Sequence, residues 1–580
     1  MVLPKQKSPG SRVHSARCRL RANRLQVELL ENRLVPTTFT VLNANDSGPN
    51  SLREVILKAN ADLSPETDII RFNIPASGVQ TITLEEASGP LPAITDSVTI
   101  DGSSQPGFAG TPLIVLNGSN LSSGNGLVIN AADSTIKSLA IGHFTNGSGI
   151  VIGGVESTGV TRNLVVGCYL GLAADGTTAA ANDVGIRIDN GGSANTVGGP
   201  TEAGRNVISG NTEFGIAIAG AAATNVVAGN YIGLDATGLA ALPNGGVGII
   251  LSRGAHNNFI GGSRNMISGN GSHGILLKDP ATRENIIDFN VIGANVSPLD
   301  QIGIDVSEKL SLGNGGDGIH IEFSPDNRIG DTQMGFGTFG SNIIAFNAGA
   351  GIAVGDEVGG FAAGNLIQQN WIFGNGKLGI NSAPGTLAHF PRLTSAVYRY
   401  APSAKFGSQT VKLTGTMTGA ANTSYRIEFF STQTPDASGF GQGQTFLWFT
   451  TVLTNASGTG DFEKTLEGFY YKPEWISATA TGPDNTTSRF SQNISVLEHS
   501  EFYLTQPYVY VSSAAGAVTI YIERQAGNDG EFQVDYTTLA DRAVAGTDFL
   551  PVSGTLKFAP GEILKSITIT VLDNPAATQD

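Results

Sequence analysis

The strongest constraint on what this chain can fold into is a phrase that it repeats. NVISGNTEFGIAIAG (206–220) returns as NMISGNGSHGILLKD from Asn265 and as NIIAFNAGAGIAVGD from Asn342. Its shorter core, N-x-[IV]-x-x-N, also stands at 225–230, 285–290 and 365–370, and NLVVGC (163–168) is the same phrase with Cys168 in the last place. From Gly126 to Ile380 a glycine followed by a short alternating strand (GLVI, GIRI, GIAI, GIHI and others) recurs, mostly at 23 to 36 residues. Strands this short cannot stand alone, and the connections lack the 3.6-residue helical period. A chain wound as a coil, each turn pairing in parallel with the next, satisfies both facts. In such a coil the asparagines stack at corners, where left-handed angles and side-chain-to-backbone bonds suit them. Alternating Ile and Val fill the interior. These asparagines are therefore scaffold, and Cys168 takes a ladder place as a core residue.

The two ends of the coil differ from its middle. Ser51 and Glu54 in SLREVILKAN match a capping box ahead of Val55, Ile56 and Leu57. This predicts a short amphipathic helix over the open end, which would otherwise present bare strand edges. Near residue 392 longer strands with aromatics begin (VKLTGTMTG, YRIEFFST, QTFLWFTTVLT), the profile of an antiparallel sandwich. A second such unit follows a boundary near 498. The expected architecture is all-β: a right-handed parallel β-helix with an N-terminal cap over 38–391, then β-sandwiches over 392–498 and 499–580. Residues 1–37, rich in Lys and Arg ahead of VELLENRLVP, read as a disordered basic leader.

Charge narrows the partners. A net charge of -15 argues against nucleic acid, which needs a cationic surface. No stretch has the 18 or more apolar residues of a transmembrane span, so membrane association would be peripheral. Two cysteines, one of them in the leader, make no disulfide framework.

Four stretches resemble known families. Leu30, Glu31, Arg33 and Pro36 in LLENRLVP match the N-terminal motif of large exported proteins of planctomycete bacteria. SLREVILKAN with DIIRFNI, followed by repeats such as YIGLDATG, resembles pectate-lyase-like parallel β-helices of bacterial surface proteins, with Asn50 where a cysteine often stands. Residues 392–497 resemble, in general pattern, the Ig-like module that often follows them. AVTIYIER, AGTDFLPVSGTLKFAPGE and ITITVLDN resemble a Calx-β domain. The resemblances imply export to an extracellular or cell-surface location. The last implies a Ca²⁺ site, with Asp548 and Asp573 at matching positions, but Ser513 and Asn574 stand where the family usually has acids. Glu531 and Asp535 are nearby acids that could compensate.

Candidates for chemistry gather in IDVSEKLSLGNGGDGIHIEFSPD, which holds Asp305, Glu308, Asp317, Glu322 and Asp326. A glycosidase needs two carboxylates about 5–9 Å apart on one face, and Asp305, Asp317 and Glu322 are the candidates. His320, two residues before Glu322, shares its face. The N-T-D, D-D, G-H-G and R-x-K signatures of polygalacturonases are absent from the chain, and Asp305, Asp317 and Arg328 do not assemble a pectate-lyase site. The sequence therefore favours a non-enzymatic surface protein, acting in adhesion or surface architecture with polysaccharide or other cell-surface components as partners. The alternative is a polysaccharide lyase or glycoside hydrolase built on the same coil.

Overall fold

A computed structural model describes residues 36–575, apart from 63, 65, 155–158, 295–310, 331–340, 356–361, 383–389, 400–408, 470 and 529. Nearly all of the expected leader, including Leu30, Glu31 and Arg33, and the acids Asp305 and Glu308 lie outside these residues. Among the described residues, three parallel sheets of eleven, ten and nine strands run along a coil, and each regular turn gives one strand to each. The chain is thus a right-handed parallel β-helix followed by antiparallel sandwich-like sheets, as expected. Its interior is a column of Ile, Val and Leu, one or two from each strand of every turn, almost wholly buried.

Three ladders of buried amides mark the corners. Asn163, Asn195, Asn225, Asn258, Asn285, Asn327 and Asn365 form the first, each Nδ2 donating to the next Oδ1 at 2.9–3.1 Å. The second runs from Asn206 through Asn230, Asn265, Asn290 and Asn342 to Asn370 at 2.8–3.0 Å. The third joins Asn182, Asn211, Asn244, Asn270, Asn314, Asn347 and Asn375 at 2.8–3.1 Å. One phrase therefore serves two places. At 225–230 it links the first ladder to the second, and at 206–211 the second to the third. Cys168 donates its backbone N–H to Asn206 Oδ1 at 2.9 Å, so it heads the second ladder without an amide of its own. Burial pushes its thiol up to about 12, which suits core packing.

Both ends of the coil are covered. The helix Leu52–Ala61 buries Leu52, Val55, Ile56 and Ala59 in the coil's core. Ser51 Oγ accepts from Glu54 N–H, but Glu54 reaches back to the N–H of Asn50 rather than of Ser51. At the other end the first sandwich supplies the stopper. Asn375 donates both its backbone N–H and its Nδ2 to Gln442 Oε1 at 3.0 Å, so a glutamine extends the third ladder. The buried Glu428 accepts from Gln369 N–H at 3.0 Å and from Arg426 at 2.9 Å. Phe430 and Phe490 join the coil's own core. This sandwich has two four-stranded sheets. The C-terminal module has a three-stranded sheet (Glu501–Leu504, Ala517–Ala526, Leu564–Thr570) beside a two-stranded one (Phe532–Thr537, Ser553–Phe558).

The ladders yield a stability prediction. Asn230 donates to Asn265 Oδ1 and Val197 O and accepts from Asn206 Nδ2, all in a dry interior. Asn230→Ala strands those partners and should cost on the order of 2–3 kcal/mol. Its urea midpoint should fall clearly, whereas Asn120→Ala, at an exposed position, should leave the midpoint in place.

Candidate functional site

The third sheet carries charged side chains set among apolar ones on its outer face. Its outward column reads Val128, Val151, Arg187, Ala217, Ile250, Leu276, His320 and Ala353, each paired in register with the next. Two clefts of about 410 and 440 Å³ open along it and share Arg187 and Asp189. Asn125, Asn130 and Asn146 line one end, and Arg253, Lys278 and Asp279 the other. Lys278 pairs with Glu322 of the next turn at 3.2 Å. At about 4.8 Å per strand, the face from Val128 to His320 is on the order of 30 Å long.

Further along the same sheet, beyond the clefts, His273, Asp317 and His320 converge. The repeat explains how. From Asn211 onward, the residue three places after each third-ladder asparagine comes just before the strand glycine; it is Phe214, Val247, His273, Asp317, Ala350 and Leu378 in successive turns. His273 and Asp317 are thus stacked neighbours, although 44 residues separate them. His320 Nδ1 lies 2.8 Å from Asp317 Oδ2, and His273 Nδ1 lies 3.4 Å from the same oxygen. The Asp317 backbone N–H donates to His273 Nδ1 at 3.0 Å. The Ala350 N–H donates to Asp317 Oδ1 at 2.6 Å. The two imidazoles stack with centroids 4.5 Å apart at 31°. Two glycines make the room. A Cβ on Gly316 would come within 2.7 Å of His273 Nδ1, and one on Gly349 would overlap Asp317 Oδ1.

These bonds set the protons. The carboxylate accepts, so His320 carries its hydrogen on Nδ1 and leaves Nε2 as a base. His273 accepts at Nδ1 and therefore presents an Nε2–H donor. Burial alone would raise the Asp317 carboxyl, but the His320 and Ala350 hydrogen bonds with the nearby imidazoles hold it below the usual carboxylate range. Burial lowers His273, and His320 beside it adds to that, against the pull of Asp317 and Glu322.

Of the sequence candidates, Asp317 is at the centre of the cluster. Glu322 faces outward beside it, tied to Lys278. Asp305 lies outside the described residues. His273 was missed because the cue lies in the repeat position, not in local spacing. In the C-terminal module, the Leu572 N–H donates to Asp548 O, and the Val571 N–H to Gly516 O, which brings the Ser513 turn, Asp548 and Asp573 to one end. There Asp548 accepts from Val544 N–H at 2.7 Å and from Asn574 Nδ2 at 2.6 Å. Asp535 accepts from Thr555 on its own sheet. Calcium takes six to eight oxygens, and among the described residues no third acid converges on Asp548 and Asp573. By themselves Asp548 and Asp573 supply fewer oxygens than that shell needs.

Comparison with known proteins bears on the modules. The Calx-beta domain family matches residues 498–580. The C-terminal module is a Calx-β domain. Among solved structures, CBD12 from CALX1.2 is 15% identical, with 32% of this chain and 76% of that chain covered and a TM-score of 0.14. A tailspike protein mutant of E. coli bacteriophage HK620 is 9% identical over 73% of each chain, TM-score 0.25. The enzymatically active domain of bacteriophage CBA120 tailspike protein 4 is 9% identical over 77% of this chain and 66% of that one, TM-score 0.22. At such scores none of these likenesses fixes an activity. Among the described residues no helix is long and apolar enough to cross a membrane.

The neutral His273 predicts an acid sensitivity. The folded state holds this imidazole below its ordinary value, while the unfolded chain protonates it near 6.5. Its stabilising contribution is whole above about pH 6.5 and is lost as pH falls. Asp317 acts in the same direction lower down, its contribution being whole above about pH 3.8. The melting temperature should therefore drop between about pH 7.5 and 5.5, and drop less in His273→Gln.

Proposed function

We propose that the chain is an exported, extracellular or cell-surface protein whose β-helix binds polysaccharide along its third sheet. The observation that carries this reading is the pair of clefts joined through Arg187 and Asp189. They make a long trough of Arg, Lys, Asp, Glu and Asn side chains beside the partly buried ring of Phe214. Convergent charged and amide groups suit a hydroxyl-rich polymer, since each hydroxyl both donates and accepts, and a ring edge offers an apolar face to a sugar. Arg187 lines both clefts and so stands where they meet. The sandwich and the Calx-β domain extend the rod, in keeping with an adhesive or architectural role.

A second reading is favoured by the His–Asp cluster. A carboxylate that orients one imidazole, with a second imidazole presenting a donor, is an acid–base arrangement. A polysaccharide lyase or glycoside hydrolase could act there on a polymer held in the trough. His320 would take a proton at Nε2, Asp317 would stabilise the imidazolium, and His273 would donate from Nε2.

A glycan array with the full chain tests the first reading. Binding should be saturable and at least about tenfold weaker in Arg187→Ala, where a charge-assisted contact of about 1.5–3 kcal/mol is lost; an array without saturable binding would sink it. Release of reducing or unsaturated ends from the bound glycan, lost in His320→Gln with binding retained, would establish turnover. For the Calx-β domain the expectation is negative. Calcium should give no saturable heat below about 1 mM, the weak end of extracellular sites, and Asp548→Ala should not alter the trace.

A further inference from the structure

The geometry points to a divalent transition-metal site of the zinc class at His273, Asp317 and His320. It is independent of whether a glycan occupies the trough. One ligand atom from each residue lies within 4.8 Å of the others. With metal–ligand bonds of about 2.0–2.1 Å, two ligands of a tetrahedral ion stand roughly 3.3 Å apart. Asp317 Oδ2 and His273 Nδ1 already stand 3.4 Å apart. The 2.8 Å contact to His320 Nδ1 is a hydrogen bond, and it needs to open by only about half an ångström to the same ligand separation.

The donor set chooses the metal. Two imidazoles with one carboxylate suit Zn²⁺ and its first-row neighbours, whereas calcium and magnesium prefer oxygen. Asp317 is prepared to give a single oxygen, because its Oδ1 is held by the Ala350 N–H and only Oδ2 faces the imidazoles. Such outer contacts orient the ligands of known sites. Entry of the ion replaces the His320–Asp317 hydrogen bond and the N–H bond to His273 Nδ1. The His320 proton shifts from Nδ1 to Nε2, with no net change of charge. Three protein ligands leave a coordination position open, and all three side chains are partly exposed.

A second observation sets the cluster apart from ordinary surface polarity. In other turns the same two repeat positions hold Val247 with Ile250, Ala350 with Ala353, and Phe214 with Ala217. Only a small or apolar pair is needed for the coil. Seating a carboxylate and two imidazoles on this stack, with Gly316 and Gly349 cleared to admit them, departs from the scaffold pattern in two successive turns.

The full chain, stripped by a chelator, should be titrated with Zn²⁺ by calorimetry and with Co²⁺ by visible absorption. The expected result is one equivalent of Zn²⁺ bound, and the d–d spectrum of a low-coordinate Co²⁺ with nitrogen ligands. Affinity should fall at least tenfold in His273→Gln and in His320→Gln and stay unchanged in Asp548→Ala. Zinc should raise the melting temperature of the parent chain and not of the two histidine variants. Circular dichroism without metal establishes that the variants fold; where one does not, the Co²⁺ spectrum of the parent chain decides. Absence of saturable uptake by the parent chain, a six-coordinate aqua-like Co²⁺ spectrum, or uptake that survives both histidine variants would overturn the site.

Discussion

The amide stack at the corners is the interaction on which everything else in this molecule depends. A coil of two- to seven-residue strands has little sheet to hold each turn. Its corners must turn sharply in a dry interior, where an unpaired polar group is costly. Asparagine answers both needs, bonding backbone carbonyls and N–H groups at the bend while its amide reaches the next turn. Because every Oδ1 after the first in its ladder receives an Nδ2 from the turn before, the turns are locked in register. That register is what sets His273 over Asp317 and lines up Arg187 with the strands on either side.

The fold was readable because its rule is repeated. Ile and Val alternation told inside from outside, the asparagine phrase marked corners, and a capping box announced the helix from Leu52. Finer points were not readable. Whether a phrase sits at the first and second corners or at the second and third depends on its place in the turn, and the local sequence of 225–230 and 206–211 is nearly the same. The stopper role of Gln442 was equally hidden. Gln442, one of two glutamines in GFGQGQTF, carries no periodic signal, and its partner Asn375 lies 67 residues back.

The candidate site was half legible for a related reason. Asp317 and Glu322 stand close in sequence, within a run of acids, and invite attention. His273 does not. It becomes visible only when the turns are written one above another from their third-ladder asparagines, with the long interval before Asn314 placed as a loop. Charge counting also pointed toward paired carboxylates, whereas the geometry instead gathers two imidazoles about one carboxylate and engages Glu322 with Lys278. In the Calx-β domain the outcome runs the other way. Backbone pairing brings the family positions to one end, where Asp548 is engaged by the Val544 N–H and the Asn574 amide.

The use of a glutamine to finish the third ladder has a consequence for how such rods can change in size. The first sandwich meets the coil through amide and backbone groups that every turn presents in nearly the same form, so it grips a generic surface. A whole turn could be duplicated or removed between Asn182 and Asn347 without redrawing either boundary. Reach is thereby decoupled from anchoring. The rod can lengthen or shorten by whole increments through unequal recombination at its repeated phrases, while the modules beyond it keep their seat.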